Sequence, residues 1–148
     1  MIGHDQAAFA AARRAFEQWL MFDLRWVHLA NPEARIVVGE LVAVEAQTLG
    51  LWTVNVSRIL EVVDTASRFG FVYATTEMHV EEGEERFVLE LDPQSGAVTY
   101  RLDAVSRPRS ALARLGFPIT RRFQHRFARD SHRRMRGAVF DGHAGATV

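Results

Sequence analysis

Residues 68–79, RFGFVYATTEMH, carry the pattern from which the fold of this chain is predicted. The aromatic residues Phe69, Phe71 and Tyr73 stand at every second position, and this spacing is typical of a β-strand with one buried face. Neighbouring segments alternate in the same way, and further strands are predicted over residues 35–46, 51–64, 84–91 and 97–105. Because the links between these segments are short and turn-like, the strands are expected to form an antiparallel meander.

The period of two also predicts which side chains face the covered side of the sheet. In the strand over residues 51–64 they are Trp52, Val54, Val56, Leu60 and Val62. In the last two strands they are Phe87, Leu89 and Leu91, followed by Val98, Tyr100, Leu102 and Ala104. The sheet is therefore expected to have one apolar face that another element must cover.

The last third of the chain returns to helical spacing. Pro108 suits the first turn of a helix, which Gly116 and Pro118 are expected to interrupt. A second helical run follows, with apolar side chains at multiples of four: Ile119, Phe123, Phe127 and Met135. Gly137 is predicted to cap the end of this helix, and residues 138–148 are predicted to form a flexible tail.

An N-terminal helix is predicted over residues 5–22, where apolar side chains recur at steps of three and four behind Asp5, a favourable N-cap. Together the segments predict an α+β fold, in which a curved antiparallel sheet of about five to six strands packs on the long C-terminal helix. Residues 1–148 are expected to be a single domain with an ordered core over residues 5–137. If the sheet wraps the C-terminal helix without filling the space, a cavity remains between them.

Composition limits the class of protein. The chain has 148 residues, of which 48% are hydrophobic, and it contains neither lysine nor cysteine. This composition is too apolar for a disordered chain. Without cysteine, the chain can have no disulfide, no cysteine nucleophile and no thiolate metal site. No apolar run reaches the roughly 18 residues of a membrane-spanning helix, and a cytoplasmic location is expected.

Charge is divided unevenly along the chain. Residues 1–106 hold 16 acids and 8 arginines, whereas residues 107–148 hold 10 arginines and 2 acids. The basic helix could therefore attract an anionic partner, for which an anionic membrane surface is favoured over nucleic acid because no second reader helix or exposed aromatic residue accompanies the arginines. The simpler interpretation is that the helix lies against its own acidic sheet.

Polar side chains that could carry chemistry gather near the end of the central strand. Tyr73, Thr75 and His79 share the inward parity of Phe71, and Glu85 shares the inward parity of Phe87. A hairpin would bring Glu85 opposite Glu77 or His79, and a histidine beside a carboxylate can act as a general base. Arg107 is the candidate for an anion contact.

A structural interpretation of the same residues stays open. The acids would pair with arginine, and Tyr73 would find a hydrogen-bond partner while it packs in the core. His125 and His132 lie seven residues apart without an acid at metal-ligand spacing, so no metal or other cofactor is expected.

Two blocks of sequence resemble a known family. The first contains GFVYAT at residues 70–75, then His79, then GEERF at residues 83–87; the second contains Ser106-Arg107-Pro108, Arg114-Leu115-Gly116 and Gln124. These blocks resemble the uncharacterised family called domain of unknown function DUF1990, and the resemblance covers residues 9–136. It implies a fold akin to the START-like helix-grip superfamily, whose members often enclose hydrophobic ligands or carry out cyclase-type chemistry, but it supplies no activity.

One departure from that family concerns the start of the chain. Members of the family carry an extra N-terminal segment, in which a strand is expected, before the first helix, whereas this chain begins close to that helix. The chain is therefore expected either to lack an edge strand or to be a short branch of the family, and an open sheet edge would favour a homodimer.

The function predicted from these observations is binding of a small hydrophobic or amphipathic molecule in the cavity. Polar contacts are expected from Tyr73, Thr75, His79 and Glu85, an anion contact from Arg107, and an apolar wall from Trp52, Phe71, Phe87 and Tyr100. One alternative is an enzyme that uses His79 and Glu85 as an acid–base pair. The other is an interaction module that presents the arginine-rich helix to an anionic partner.

Overall fold

Two helices and one antiparallel sheet make up the structure, a computed structural model that describes residues 1–76, 81–108 and 111–144, with side chains at 1–76, 83–105 and 118–142. The helices are α1, Asp5–Glu17, and α2, Ala111–Ala144, and a short 3-10 helix spans Leu20–Phe22. The strands are β1 Gly3–His4, β2 Val27–Leu29, β3 Leu41–Thr48, β4 Leu51–Asp64, β5 Arg68–Thr75, β6 Glu81–Leu91 and β7 Ala97–Pro108.

The sheet curls into a half-barrel with the strand order β1-β7-β6-β5-β4-β3-β2. It has seven strands, so the predicted number of five to six is wrong. The additional strands β1 and β2 contain two and three residues, and such short segments cannot display a period of two. The expectation of a missing edge strand is also wrong, because Gly3 of β1 pairs with Val98 of β7 before α1 begins.

The predicted inner face of β4 is wrong over most of the strand. Trp52, Val54 and Leu60 are between 44% and 58% exposed, while Ser57 and Ile59 are buried. The reason is a β-bulge between Ile59 and Glu61, which leaves Leu60 unpaired and reverses the direction of every side chain beyond it. Among the described residues of the predicted set, Val62 packs against the core.

The inner faces of β5, β6 and β7 are as predicted, because these strands pair without a register shift. Phe71, Phe87 and Val98 are buried beneath the helices. From α1, Phe16 places its ring edge-on to Phe69, Phe71 and Tyr100 at centroid distances of 5.9, 6.0 and 5.7 Å. Contacts of this geometry join α1 to three positions of the sheet at once.

The predicted end of α1 and the predicted start of β3 are wrong. Helix α1 ends at Glu17 rather than residue 22, because Trp19 adopts a left-handed conformation before the 3-10 helix. The strand predicted from residue 35 begins at Leu41, after Gly39 turns the chain with φ of +90°. The start of α1 is as predicted, since the carboxylate of Asp5 accepts the backbone N–H of Ala8 at 2.9 Å.

Helix α2 is continuous, although Gly116 and Pro118 were expected to interrupt it and Gly137 to end it. Beyond Gly137 the helix continues to Ala144, and Val139 is 3% exposed. Tertiary packing on the first strand and α1 therefore outweighs the weak helix preference of glycine. None of the helices in the described part of the chain is long and apolar enough to cross a membrane.

Replacing Gly137 with alanine is expected to stabilise the protein by about 0.5–1 kcal/mol, because an interior glycine costs more chain entropy on folding than alanine. A Cβ atom at this position would meet no atom within 4 Å. Chemical denaturation measures the change. A helix that ended at Gly137 with the glycine in a left-handed conformation would give the opposite result, a loss of stability.

Gly70→Ala is the contrasting substitution. A Cβ atom there would clash with the carbonyl oxygen of Phe87 and would lie 2.9 Å from the Cα atom of Val88, and both are backbone atoms of the paired strand β6. We expect a loss of about 1–3 kcal/mol in the free energy of unfolding, in the range found for overpacked cores. An unchanged stability would show that β5 and β6 are not packed this closely.

Candidate functional site

A cavity of about 500 Å³ lies between the concave face of the sheet and α2. Its apolar lining includes Phe22, Trp26, Val44, Ile119, Phe123 and Phe127. Its polar lining includes Asn55, Ser57, Tyr73, Thr75, Glu85 and Gln124. The predicted covering residues Ile119, Phe123 and Phe127 of α2 therefore do face the sheet, with the cavity between them.

The cavity exists because side-chain size changes along the strands. Where α1 crosses the sheet, large rings fill the space, and Phe71 and Phe87 stack at a centroid distance of 5.0 Å. Beyond these rings the inner positions carry small side chains, namely Ala46, Ser57, Gly83 and Ala104. Side chains of this size are too short to reach α2, so the helix spans a gap instead of packing directly on the sheet.

Tyr73 and Glu85 form the polar centre of the cavity wall. They lie directly opposite each other on β5 and β6, so the expectation that Glu85 lies opposite Glu77 or His79 is wrong. The Tyr73 hydroxyl donates a hydrogen bond of 2.7 Å to Oε2 of Glu85. Burial raises the pKa of Glu85, although the hydrogen bond from Tyr73 opposes the shift. Burial and the nearby carboxylate raise the pKa of Tyr73 well above its ordinary value, so the phenol keeps its proton.

A second polar pair lies one step further along the same strands. The Oγ1 atom of Thr75 accepts the backbone N–H of Gly83 at 3.1 Å, which holds the start of β6 against the end of β5. On the other side of β5, Ser57 of β4 is the partner of Thr75 in the strand register. Asn55, two residues before Ser57, lines the same side of the cavity. Together these side chains extend the polar wall across three strands.

Three predicted wall residues lie in the core below the cavity and not in its lining. Phe71 and Phe87 are almost fully buried among the other rings. The Tyr100 hydroxyl is hydrogen-bonded to the hydroxyl of Ser131 at 2.8 Å, and this buried contact joins β7 to α2. Inward parity was predicted correctly for all three, but parity does not distinguish the filled end of the sheet from the hollow end.

Trp52 lies on the opposite face of the sheet, so its predicted position in the cavity wall is wrong. Its ring stacks on His28 of β2 at a centroid distance of 5.5 Å. His79 and the side chain of Arg107 lie outside the described residues; the backbone of Arg107 pairs with Glu82 in β7. The predicted acid–base pair and anion contact therefore stay predictions, while Tyr73, Thr75 and Glu85 do line the cavity.

Sequence reasoning missed the contributions of β3, β4 and the segment around the 3-10 helix. Phe22, Trp26 and Val44 line the cavity from this side, together with Asn55 and Ser57. A signal for the last two is present, because polar residues occupy the alternate positions 53, 55 and 57 between the apolar residues at 52, 54 and 56. Without the bulge, the alternation of the strand predicts that the residues at 53, 55 and 57 face solvent.

The arginines of α2 form an exposed stripe on the side away from the cavity, at positions 122, 126, 129, 133 and 136. Arg126, Arg129 and Arg133 surround Asp130, whose carboxylate also accepts the indole N–H of Trp26 at 3.2 Å. The guanidinium of Arg126 lies over the Trp26 ring, 4.3 Å from its centroid. These contacts anchor α2 to the cavity wall through Trp26. Among the described residues, no group of histidines and acids is arranged to hold a metal ion.

The protein therefore belongs to the α+β class, and its curled antiparallel sheet and long helix α2 enclose a cavity. Within that class, the chain belongs to the family described as domain of unknown function DUF1990, whose sequence profile matches residues 1–134. The resemblance noted in the two sequence blocks is thereby confirmed at the level of the family. No solved structure matches the chain significantly.

Curated relatives carry the name UPF0548 protein. One from Dictyostelium discoideum is 38% identical over 149 residues, which cover 93% of this chain and 69% of the relative. One from Deinococcus radiodurans is 32% identical over 86% of this chain and 69% of the relative. One from Arabidopsis thaliana is 25% identical over 88% of this chain and 66% of the relative. The chain thus spans about two thirds of the length of each, and the names state no activity.

Glu85→Gln is expected to stabilise the protein increasingly as the pH rises. Since burial raises the pKa of Glu85, the folded protein holds a proton that the unfolded chain releases above its ordinary pKa of 4.5. The free energy of unfolding therefore falls as the pH rises from 4.5 to the raised pKa of Glu85 in the folded protein. The loss is about 1.4 kcal/mol for each unit by which the pKa is raised. Glutamine cannot ionise and still offers an oxygen to Tyr73.

Urea denaturation at about pH 5 and pH 8 measures this difference. The matched control is Glu84→Gln, which neutralises the exposed neighbouring acid on the other face of β6. If Glu85→Gln and Glu84→Gln change the pH dependence equally, Glu85 is not held in a desolvated environment.

Proposed function

We propose that this chain binds a small hydrophobic or amphipathic molecule in the cavity between the sheet and α2. The observation that carries the proposal is the cavity itself, whose volume of about 500 Å³ falls within the range of known ligand sites. Its lining is largely apolar with a few converging polar groups, the composition typical of such sites. The family assignment names no ligand, so the proposal depends on this geometry.

Exposed apolar side chains at the edge of the cavity support the proposal. Leu49 in the turn between β3 and β4 is 77% exposed, and Val105 and Ile119 are 63% and 48% exposed. All three belong to the cavity lining, although they come from different elements. An apolar rim of this kind lets a hydrophobic molecule leave water before it reaches the interior.

The proposed relation to the START-like helix-grip superfamily supports the same function. In both, an antiparallel sheet curls around a long C-terminal helix, and the space between them can hold a hydrophobic molecule. The enzyme alternative gains one supporting observation, since Glu85 lines the cavity beside Tyr73, but its partner His79 is not among the described residues. We therefore assign no reaction.

A second candidate function uses the arginine stripe. Arg129 and Arg133 have side chains that are 65% and 75% exposed, and they could contact an anionic membrane surface. The two candidates respond differently to salt, because binding through exposed charges weakens with ionic strength and binding in an apolar cavity does not.

The fluorescent probe N-phenyl-1-naphthylamine, which is uncharged and apolar, tests the cavity. We expect it to bind the native chain and Ala46→Trp to weaken binding by at least about tenfold, because the indole would fill the cavity. Ala43→Trp is the matched control, since Ala43 lies on the opposite face of β3. Circular dichroism checks that both variants are folded.

The same titration in about 1 M NaCl separates the two candidates. Unchanged affinity for the probe is expected for the cavity. If the native chain does not bind the probe, or if both alanine replacements weaken binding equally, the cavity is not a ligand site. Salt-sensitive binding to anionic vesicles, lost when Arg129 and Arg133 are replaced by glutamine, would instead support the arginine stripe.

A further inference from the structure

Ser57 is a buried polar residue whose hydroxyl group faces the cavity. It is 4% exposed and lines the cavity. Within the described ranges, its side chain makes no hydrogen bond with another residue. Native structures pair more than about nine in ten buried polar groups, because an unpaired one destabilises the folded chain. A bound molecule that completes the hydrogen bond would explain why the hydroxyl is there.

Asn55 extends this observation to a second group on the same strand. Its side chain also lines the cavity, and it too makes no hydrogen bond with any residue that the structure describes. Thr53 differs, because its hydroxyl donates to the carbonyl oxygen of Ala46 at 3.3 Å. Asn55 and Ser57 therefore offer both donors and acceptors to whatever occupies the cavity.

The charges around these groups restrict the ligand further. Among the described lining residues, Glu85 and Tyr73 are the ionisable ones, and they are hydrogen-bonded to each other. A carboxylate or phosphate would find no cationic partner in this part of the wall and would lie near an acid. A cation would require Glu85 to be ionised, whereas burial raises the pKa of this residue.

We infer that the ligand of the cavity carries an uncharged hydroxyl or carbonyl group at its inner end, which hydrogen-bonds with Ser57 and Asn55, and an apolar body. The deep position of Ser57 places the polar end inside, and the exposed apolar rim at Leu49 and Ile119 places the apolar body toward the opening. This inference rests on the proposed function, that the cavity binds a small molecule.

Four molecules with the same ten-carbon chain test the inference: 1-decanol, decan-2-one, decanoate and decylammonium. Each competes with N-phenyl-1-naphthylamine near pH 7, so the number of carbon atoms is matched while the polar group and its charge differ. We expect the alcohol and the ketone to displace the probe with affinities at least about tenfold higher than the two ions.

Ser57→Ala links this preference to the unpaired hydroxyl. We expect the affinity for 1-decanol to fall about five- to tenfold, as a lost hydrogen bond predicts. The unfolding temperature of the free protein should stay the same or rise, because the substitution removes a polar group with no partner. Thr53→Val is the control, since it removes a hydroxyl from the same strand that is already bonded to Ala46; it should leave the affinity unchanged.

The outcomes separate the inference from the proposed function. Tightest binding of decanoate or decylammonium, or an unchanged affinity of Ser57→Ala for 1-decanol, would overturn the inference while the cavity remained a ligand site. A native chain that binds neither the probe nor any of the four molecules would overturn both.

Discussion

The structure depends on a layer of aromatic rings packed against one half of the concave face of the sheet. Phe71 and Phe87 stack on neighbouring strands, Phe16 meets the sheet edge-on from α1, and Phe22 stacks on Phe127 of α2 at 5.4 Å. This layer fixes the distance between α2 and the sheet, because large rings set how closely two elements can approach. Where the rings end, that distance persists although the side chains become small, and the cavity is the result.

Much of this fold could be predicted from the period of two in the central and C-terminal strands. Prediction from this period succeeds for β5, β6 and β7, because these strands pair without a register shift. It fails for β4, because the bulge at Leu60 adds a residue that no local pattern reveals. Helix α2 shows the same limit. Gly137 is locally a plausible end of the helix, but burial of Val139 continues the helix past it. Interactions distant in sequence decide both cases.

The residues of the candidate site also include some that the sequence predicts and some that it does not. Tyr73, Thr75 and Glu85 could be predicted because their strands are regular and their parity matches that of neighbouring aromatic residues. Asn55 and Ser57 could not, since their direction depends on the bulge. The alternation of side chains shows which face of the sheet a residue lies on, but not how far along the strand the packed core ends. Phe71 therefore shares a face with Thr75 although it belongs to the packed core. One part of the polar wall can thus be predicted from the sequence, and the other part depends on the geometry of the sheet.

The bulge at Leu60 lets this strand change its length by one residue without changing its inner face. Leu60 and Glu61 both face outward, so a chain without Leu60 would pair Ile59 with Tyr73 and Glu61 with Val72 in regular alternation. Asn55, Ser57 and Val62 would keep their inward direction, and the hydrophilic wall of the cavity would be preserved. Homologues that lack this one residue could therefore share both the fold and the chemistry of the interior.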